Sequence, residues 1–159
     1  MAVGDPDHSL LTHLPDPPPP TFVLLNEIGI ISQLAGAKLE AVLPFHITMA
    51  QFRILNHFVR LGGKPNINKL AQAFQVSKPT MGGVVEGMHR KDLVTLTQDP
   101  DDKRSKLVAI TAKGREAHAL ALGNLAPELA KIEAAMGRDA VSAMLPELQR
   151  LRRYLDQNR

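Results

Sequence analysis

Leu70-Ala71-Gln72-Ala73-Phe74-Gln75-Val76-Ser77-Lys78-Pro79-Thr80-Met81-Gly82-Gly83-Val84 has the spacing of two short helices joined by a tight turn. Leu70, Ala71 and Phe74 share the inner face of the first helix, and Ala71 is small where two crossing helices must approach closely. Val76 is expected to plug the turn. Ser77 is a helix-capping residue, and Pro79 is tolerated in the first turn of the second helix. Met81, Val84 and Met88 then return to the core at helical spacing. This leaves Lys78, Thr80, Gly82, Gly83, Glu86 and Arg90 facing outward, and with the capping Ser77 they are the candidate DNA-binding residues of this helix. The turn position that usually holds glycine is Gln75. Many small helical pairs share this spacing, so the segment alone gives a helix pair and no more.

The next stretch of chain is more specific. Leu93–Gln98 and Lys106–Ile110 are rich in β-compatible residues and flank Asp99-Pro100-Asp101-Asp102-Lys103-Arg104-Ser105, a hairpin with a long charged tip. Such a tip must be solvated or meet a polyanion. An arginine on a rigid turn suits the narrow minor groove of DNA, where negative potential is strongest. Asp102 is expected to orient Arg104 through a local ion pair. Lys103 and Lys106 are expected to contact phosphates. A helix-turn-helix continued directly by a basic-tipped hairpin is a winged helix. The fold class is therefore mainly α with a small β-hairpin wing.

Composition is compatible with that reading. The chain has 159 residues, one domain or one domain with a helical extension. Hydrophobic residues make up 44% but aromatics only 4%, so Ala, Leu, Val and Met fill the core and packed helices are favoured over a β-sandwich. Net charge is +3, yet Arg60 to Arg115 holds 11 Lys/Arg against 5 Asp/Glu. A basic middle between acidic ends is the footprint of a nucleic-acid face on a larger scaffold. The absence of cysteine excludes disulfides, thiolate catalysis, Cys-based zinc sites and thiol redox sensing. No run of about 18 apolar residues is seen, so no membrane-spanning helix and no membrane partner are expected. Met1–Asp7 lacks a basic region and an apolar core, so no signal peptide is expected there, and a cytoplasmic location is.

Around the central segment the chain divides into four parts. Residues 1–21 form a proline-rich arm, with Pro15 and Pro17 to Pro20 enforcing extended geometry. Residues 22–47 carry a helix over 22–43, with Leu24, Ile28, Ile31, Leu34, Ala35, Leu39 and Val42 at helical spacing and Pro44 as its stop. Residues 48–111 are the winged helix-turn-helix lobe. Its first helix opens at Thr48 in a T-x-x-Q capping box with Gln51, buries Phe52, Leu55, Phe58 and Val59, and ends at Gly62-Gly63. The two short helices fall near 68–74 and 77–91. Residues 112–159 hold a helix from about Ala112 to Ala135 capped by Thr111, which Pro127 can bend and Gly137 breaks. A last helix has Val141, Met144, Leu145, Leu148, Leu151 and Leu155 on one face, and Pro146 predicts a kink or a late start.

Asp99-Pro100-Asp101-Asp102-Lys103-Arg104-Ser105-Lys106-Leu107-Val108-Ala109-Ile110-Thr111-Ala112-Lys113-Gly114 resembles the wing signature of the MarR (multiple antibiotic resistance regulator) family, a D-P-x-D-[RK]-R-S-K-x-V-x-L-T-x-x-G run. With the helix pair, the resemblance spans about residues 22–157. It implies a homodimer whose helices at about 22–43, 112–135 and 138–157 interlock as a dimerisation layer. It implies a sequence-specific, double-stranded-DNA-binding transcriptional regulator, a ligand-responsive repressor. The helix beginning at Ser77 would enter a major groove and Arg104 a flanking minor groove. The target would be a pseudo-palindromic operator with half-sites roughly 10–10.5 base pairs apart. It also implies a small aromatic or phenolic effector in a cleft beside the second helix, where His46, Met49, Phe52, Arg53 and His57 are the candidates.

The sequence departs from the family at Gly82, Gly83 and Gly87, where larger residues are usual. Each costs about 1 kcal/mol relative to Ala inside a helix. Either the glycines let the backbone approach DNA closely, or the helix is locally weak and reads fewer bases. Of the six histidines, His89 beside Arg90 and Lys91 reads as phosphate-facing or solvated. No spacing supports a metal, and no cofactor is expected. There is no G-x-S-x-G, phosphate loop, G-x-G-x-x-G or H-E-x-x-H, so no enzyme is expected. The rival reading is a winged-helix interaction module without specific DNA binding. The glycine-rich helix favours it, and the Lys103-Arg104-Ser105-Lys106 wing argues against it.

Overall fold

The computed structural model describes residues 17–158, so the proline arm before Pro17 lies outside the described residues. The elements are α1 (Pro20–Glu40), a 3₁₀ turn (Pro44–His46), α2 (Met49–Leu61), α3 (Ile67–Phe74), α4 (Lys78–Arg90), β1 (Val94–Gln98), β2 (Lys106–Ile110), α5 (Ala112–Met136) and α6 (Arg138–Gln157). The chain separates into two compact units, Met1–Lys38 and Leu39–Arg159.

The first unit is α1 up to Lys38. It starts at Pro20, two residues before the expected position. A proline is acceptable there because the first-turn amides have no intrahelical acceptor to lose. It ends at Glu40, before the expected residue 43. None of its residues is buried. Contrary to the sequence reading, α1 is long and apolar enough to cross a membrane by length and composition alone. Counting unbroken apolar residues passes over it, because its interruptions are mostly uncharged Asn, Ser, Gln and Gly, with Glu27 the one charge before Lys38.

The second unit packs α2, α4, the hairpin and α5 around a core of Ile47, Ile54, Leu55, Phe58, Leu70, Val85, Met88, Leu93, Val94, Val108, Ala117 and Ala121. α2 opens with the capping box: the Thr48 hydroxyl accepts from the Gln51 amide and the Gln51 side chain from the Thr48 amide, both at 3.2 Å. Gly62 closes it at φ 66. α5 meets the hairpin base through Gly114, and Ala117 and Ala121 are buried further along it. A Cβ on Gly114 would stand 2.2 Å from the Leu93 carbonyl oxygen. Thr111 caps this helix by accepting from the Gly114 amide at 2.9 Å.

Four local expectations change. Val59, expected in the buried face of α2, is exposed. The buried stripe of α4 is Met81, Val85 and Met88, with Val84 only half-buried; both sets have one three- and one four-residue step, and the packing puts Val85 rather than Val84 on the core. Val76 does not plug the turn but is 40% exposed; its amide instead closes the turn on the Ala71 carbonyl at 3.0 Å. α6 has no late start: it begins at Arg138, and Pro146 sits inside it.

His118 is the buried histidine that the sequence reading passed over. It lies on α5, stacks on Phe52 of α2 at 5.7 Å and 12°, and its Nε2 is 3.2 Å from Asn56 Oδ1. An amide oxygen only accepts, so Nε2 carries the hydrogen of a neutral ring. Burial lowers its pKa from the ordinary 6.5. In the unfolded chain it therefore takes up a proton at higher pH than in the fold. Its contribution to stability is present above about pH 6.5 and is lost as pH falls through the folded-state value below that. The loss of melting temperature on acidification is expected to be smaller in His118→Gln than in the wild type. Equal pH dependence in the two would dismiss this origin.

Candidate nucleic-acid interface

Ser77 is extended at φ −67, ψ 152, and its hydroxyl accepts from the Thr80 amide at 3.2 Å. The same oxygen lies 2.7 Å from the Thr80 hydroxyl. The pair thus fixes the first turn of α4 as well as facing solvent. Lys78, Pro79 and Thr80 are exposed at that end. Ahead of them, Gln75 occupies the left-handed conformation at φ 58, ψ 40 that glycine usually takes. Its side-chain amide donates to Asp156 Oδ1 at 2.7 Å, tying the turn to the end of α6.

Along α4, Glu86 and Arg90 are exposed, Gly83 is exposed, and Gly82 and Gly87 are half-buried. The three glycines differ. A Cβ on Gly82 or Gly83 would meet nothing within 4 Å, whereas one on Gly87 would stand 3.1 Å from Gln51 Nε2. A side chain at Gly87 would therefore press on Gln51 of α2. His89 is exposed, and its Nδ1 lies 3.0 Å from the Val94 carbonyl, an α4–β1 contact that the sequence did not indicate. Lys91 turns inward, donating to the His46 carbonyl at 2.6 Å and to Gln51 Oε1 at 3.1 Å.

The hairpin pairs Val94 with Ile110 through to Gln98 with Lys106, antiparallel. Its base is bound to the start of α3, since the Val108 amide donates to the Pro65 carbonyl at 3.0 Å. The tip is a run of side-chain-to-backbone turns. Asp99 Oδ1 accepts from the Asp101 amide at 3.1 Å, and Asp102 Oδ1 from the Arg104 amide at 2.9 Å. Gln98 Nε2 reaches across to the carbonyls of Lys103 at 2.7 Å and Ser105 at 2.8 Å. Asp102 therefore positions Arg104 through its backbone and not through the expected guanidinium ion pair, because a two-residue step favours that turn geometry. Lys103, Arg104 and Lys106 remain exposed. Between the wing and α4 lies a groove of about 270 Å³, lined among others by Lys78, Gly82, Glu86, Arg104, Ser105 and Lys106.

The five candidate effector residues are spread over different neighbours. His46 is exposed at φ 51, next to Phe45 at φ 54. Arg53 is exposed and Met49 half-buried. Phe52 faces α5 through His118, while His57 lies against Phe58 at 6.0 Å and Phe74 at 5.4 Å. Sequence reasoning missed Gln98, Asn56 and His118. A glutamine at the last position of a strand before an aspartate-rich turn was the available signal for the first.

The sequence pattern of the MarR family matches residues 47–105, from the residue before the α2 cap to the wing tip. Over these residues the chain is similar to the MarR family. Over 114 residues it is 25% identical to the uncharacterized HTH-type transcriptional regulator YhbI of Bacillus subtilis (strain 168), covering 71% of each chain. Its fold is similar to that of Staphylococcus aureus MarR in complex with salicylate and kanamycin, with a TM-score of 0.75 and 18% identity over 87% of this chain and 94% of that one. It is likewise similar to a mutant MarR from E. coli complexed with operator DNA, with a TM-score of 0.71 and 22% identity over 80% and 92% of the two chains. The chain's fold is also similar to that of MarR, with a TM-score of 0.72 and 20% identity over 92% of this chain and 97% of that one. The MarR-family match takes in α2, α3, α4, β1 and the wing tip up to Ser105, the elements that build the charged face.

Proposed function

We propose that this protein is a MarR-family regulator, a homodimeric repressor that binds a pseudo-palindromic operator and is released by a small aromatic or phenolic effector. The carrying observation is the wing. Its carboxylates at 99 and 102 are engaged by the backbone of the tip itself, and Lys103, Arg104 and Lys106 stand exposed beside the outward face of α4. α4 enters a major groove through Ser77, Lys78, Thr80, Gly82, Gly83, Glu86 and Arg90. Arg104 enters the flanking minor groove, Asp102 shapes its turn, and Lys103 and Lys106 bind phosphates. The operator complex of the E. coli relative supports this reading.

Dimerisation is supported by apolar residues left exposed on three helices: Leu24, Ile31 and Leu34 on α1, Leu122 and Leu129 on α5, Leu145 and Leu148 on α6. Exposed apolar surface on this scale marks an interface. A helix made to face another chain has the same apolar composition as a membrane span, which accounts for α1. Residues 22–47 and 112–159 then form the dimer layer, and 48–111 the DNA lobe. The effector reading rests on the salicylate-bound relative and on His46, Met49, Phe52, Arg53 and His57. A cytoplasmic location follows from the role.

The test is selection of bound duplexes from a random DNA pool at two salt concentrations, with sedimentation of the free protein. An enriched pseudo-palindrome, bound by a dimer with about −0.9 in log–log salt slope per phosphate contact, is expected. A folded protein that enriches nothing at either salt overturns DNA binding and leaves the interaction module.

A further inference from the structure

We propose that the hydrogen bond from Gln75 to Asp156 is a strut that sets the recognition helix α4 against α6, and so fixes the half-site spacing that a dimer accepts. The proposal rests on the dimeric, DNA-binding reading above and deepens it, by naming a positioning pair for operator geometry.

Gln75 is held in the left-handed conformation at φ 58, ψ 40. A residue with a Cβ is strained there and glycine is not. What glutamine offers in exchange is its side chain, whose Nε2 donates to Asp156 Oδ1 at 2.7 Å across 81 positions of sequence. The strain and the long-range bond are separate observations, and they meet in one residue.

The two ends of the bond belong to elements with different tasks. Gln75 lies two residues before Ser77, the cap of α4. The turn between them is short and closed, with the Val76 amide on the Ala71 carbonyl at 3.0 Å. A hold on Gln75 is thus a hold on the start of α4. Asp156 lies in the last turn of α6, beside the exposed Leu155, in the part of the chain that the dimer reading gives to the layer between subunits. α5 and α6, of 25 and 20 residues, are about 37 and 30 Å long. α5 leaves the lobe at the hairpin base, where Gly114 meets Leu93, and α6 comes back to it at Asp156. Lobe, α5 and α6 close a triangle with this bond as one corner. Opened, the corner leaves the lobe to pivot about the base of α5, and two pivoting lobes can follow half-sites set at more than one distance.

The experiment measures the affinity of wild type, Gln75→Gly, Asp156→Ala and Asp156→Asn for two duplexes, the selected operator and the same operator with one base pair inserted between its half-sites. The insertion moves one half-site by about 3.4 Å and turns it by about 35°. Glycine takes the left-handed turn freely and Asp156 is exposed, so all the variants are expected to fold, which thermal melting checks. The readout is the ratio of the two affinities, because a lost surface charge affects both duplexes alike. Wild type is expected to prefer the selected operator. That preference is expected to fall roughly fivefold or more in Gln75→Gly and in Asp156→Ala, and to persist in Asp156→Asn, whose amide oxygen accepts the same bond. Combining Gln75→Gly with Asp156→Ala should cost no more than either alone. Folded variants that all keep the wild-type preference overturn the strut and leave the DNA-binding reading standing. So does a loss in Asp156→Asn equal to that in Asp156→Ala, which marks the charge and not the bond. A wild type that is monomeric, or that enriches no operator, overturns both readings.

Discussion

Arg104→Ala is expected to weaken binding to the selected operator by about 1–3 kcal/mol and to erase preference at the positions flanking the half-sites. The reason lies in how the side chain is presented. Asp102 binds the Arg104 amide at 2.9 Å, and Gln98 clasps the carbonyls of Lys103 and Ser105, so the backbone under the guanidinium is fixed before DNA arrives. A fork held on an ordered turn loses little entropy on entering a narrow groove. Lys103→Ala and Lys106→Ala are expected to act differently, lowering affinity evenly across sequences. Titration of labelled duplexes mutated at the flanks separates the two behaviours. Unchanged affinity in all three variants removes the wing from the mechanism. Coupling gives a finer check. With Gln98→Ala the tip loses its clasp, so removal of Arg104 should then cost less than it does in the wild type.

Gly114→Ala is expected to be the most destabilising of the glycine replacements. The new Cβ would stand 2.2 Å from the Leu93 carbonyl oxygen and 2.8 Å from Ile110 Cγ1. A flexible side chain can swing aside, but a strand-end carbonyl fixed by the Thr111 amide at 3.1 Å cannot. Overpacking of this kind costs about 1–3 kcal/mol, and occasionally more, so the melting temperature should drop by several degrees at roughly 2–4 °C per kcal/mol. Gly123→Ala on the same helix is the control, since its Cβ meets nothing within 4 Å and α5 should gain about 1 kcal/mol there. Equal melting temperatures for the two variants would contradict the packing described for α5.

The elements that follow local rules were legible in the sequence. Thr48 with Gln51, Ser77 and Thr111 marked three helix starts, because a cap is decided by the few atoms next to it. The hairpin registered within a residue, since its turn is rich in residues that bond their own backbone. Side-chain orientation at longer range was less legible. His89 reads as basic surface from its neighbours Arg90 and Lys91, and only the packing of α4 on β1 reveals its bond to Val94. Asp102 and Arg104 read as an ion pair from their charges, yet at two residues apart the backbone amide was the nearer donor. His118 carried no pattern at all, because its burial depends on Phe52 and Asn56, more than sixty residues earlier in the chain. The groove between α4 and the wing belongs to the same class, since its lining comes from residues as far apart in the chain as Lys78 and Lys106.

Gln51 links three of these places through one amide group. Its oxygen closes the Thr48 capping box and accepts from Lys91, and its nitrogen lies 3.1 Å from the point where a side chain at Gly87 would begin. Positions 48, 51, 87 and 91 are therefore not free to vary one at a time. An alanine at 87 needs the Gln51 amide to give by a few tenths of an ångström, which disturbs the cap and the lysine contact together. Substitutions here should be strongly epistatic, so protein engineers who wish to stiffen the recognition helix would do better to begin at Gly83, whose neighbourhood is empty, than at Gly87.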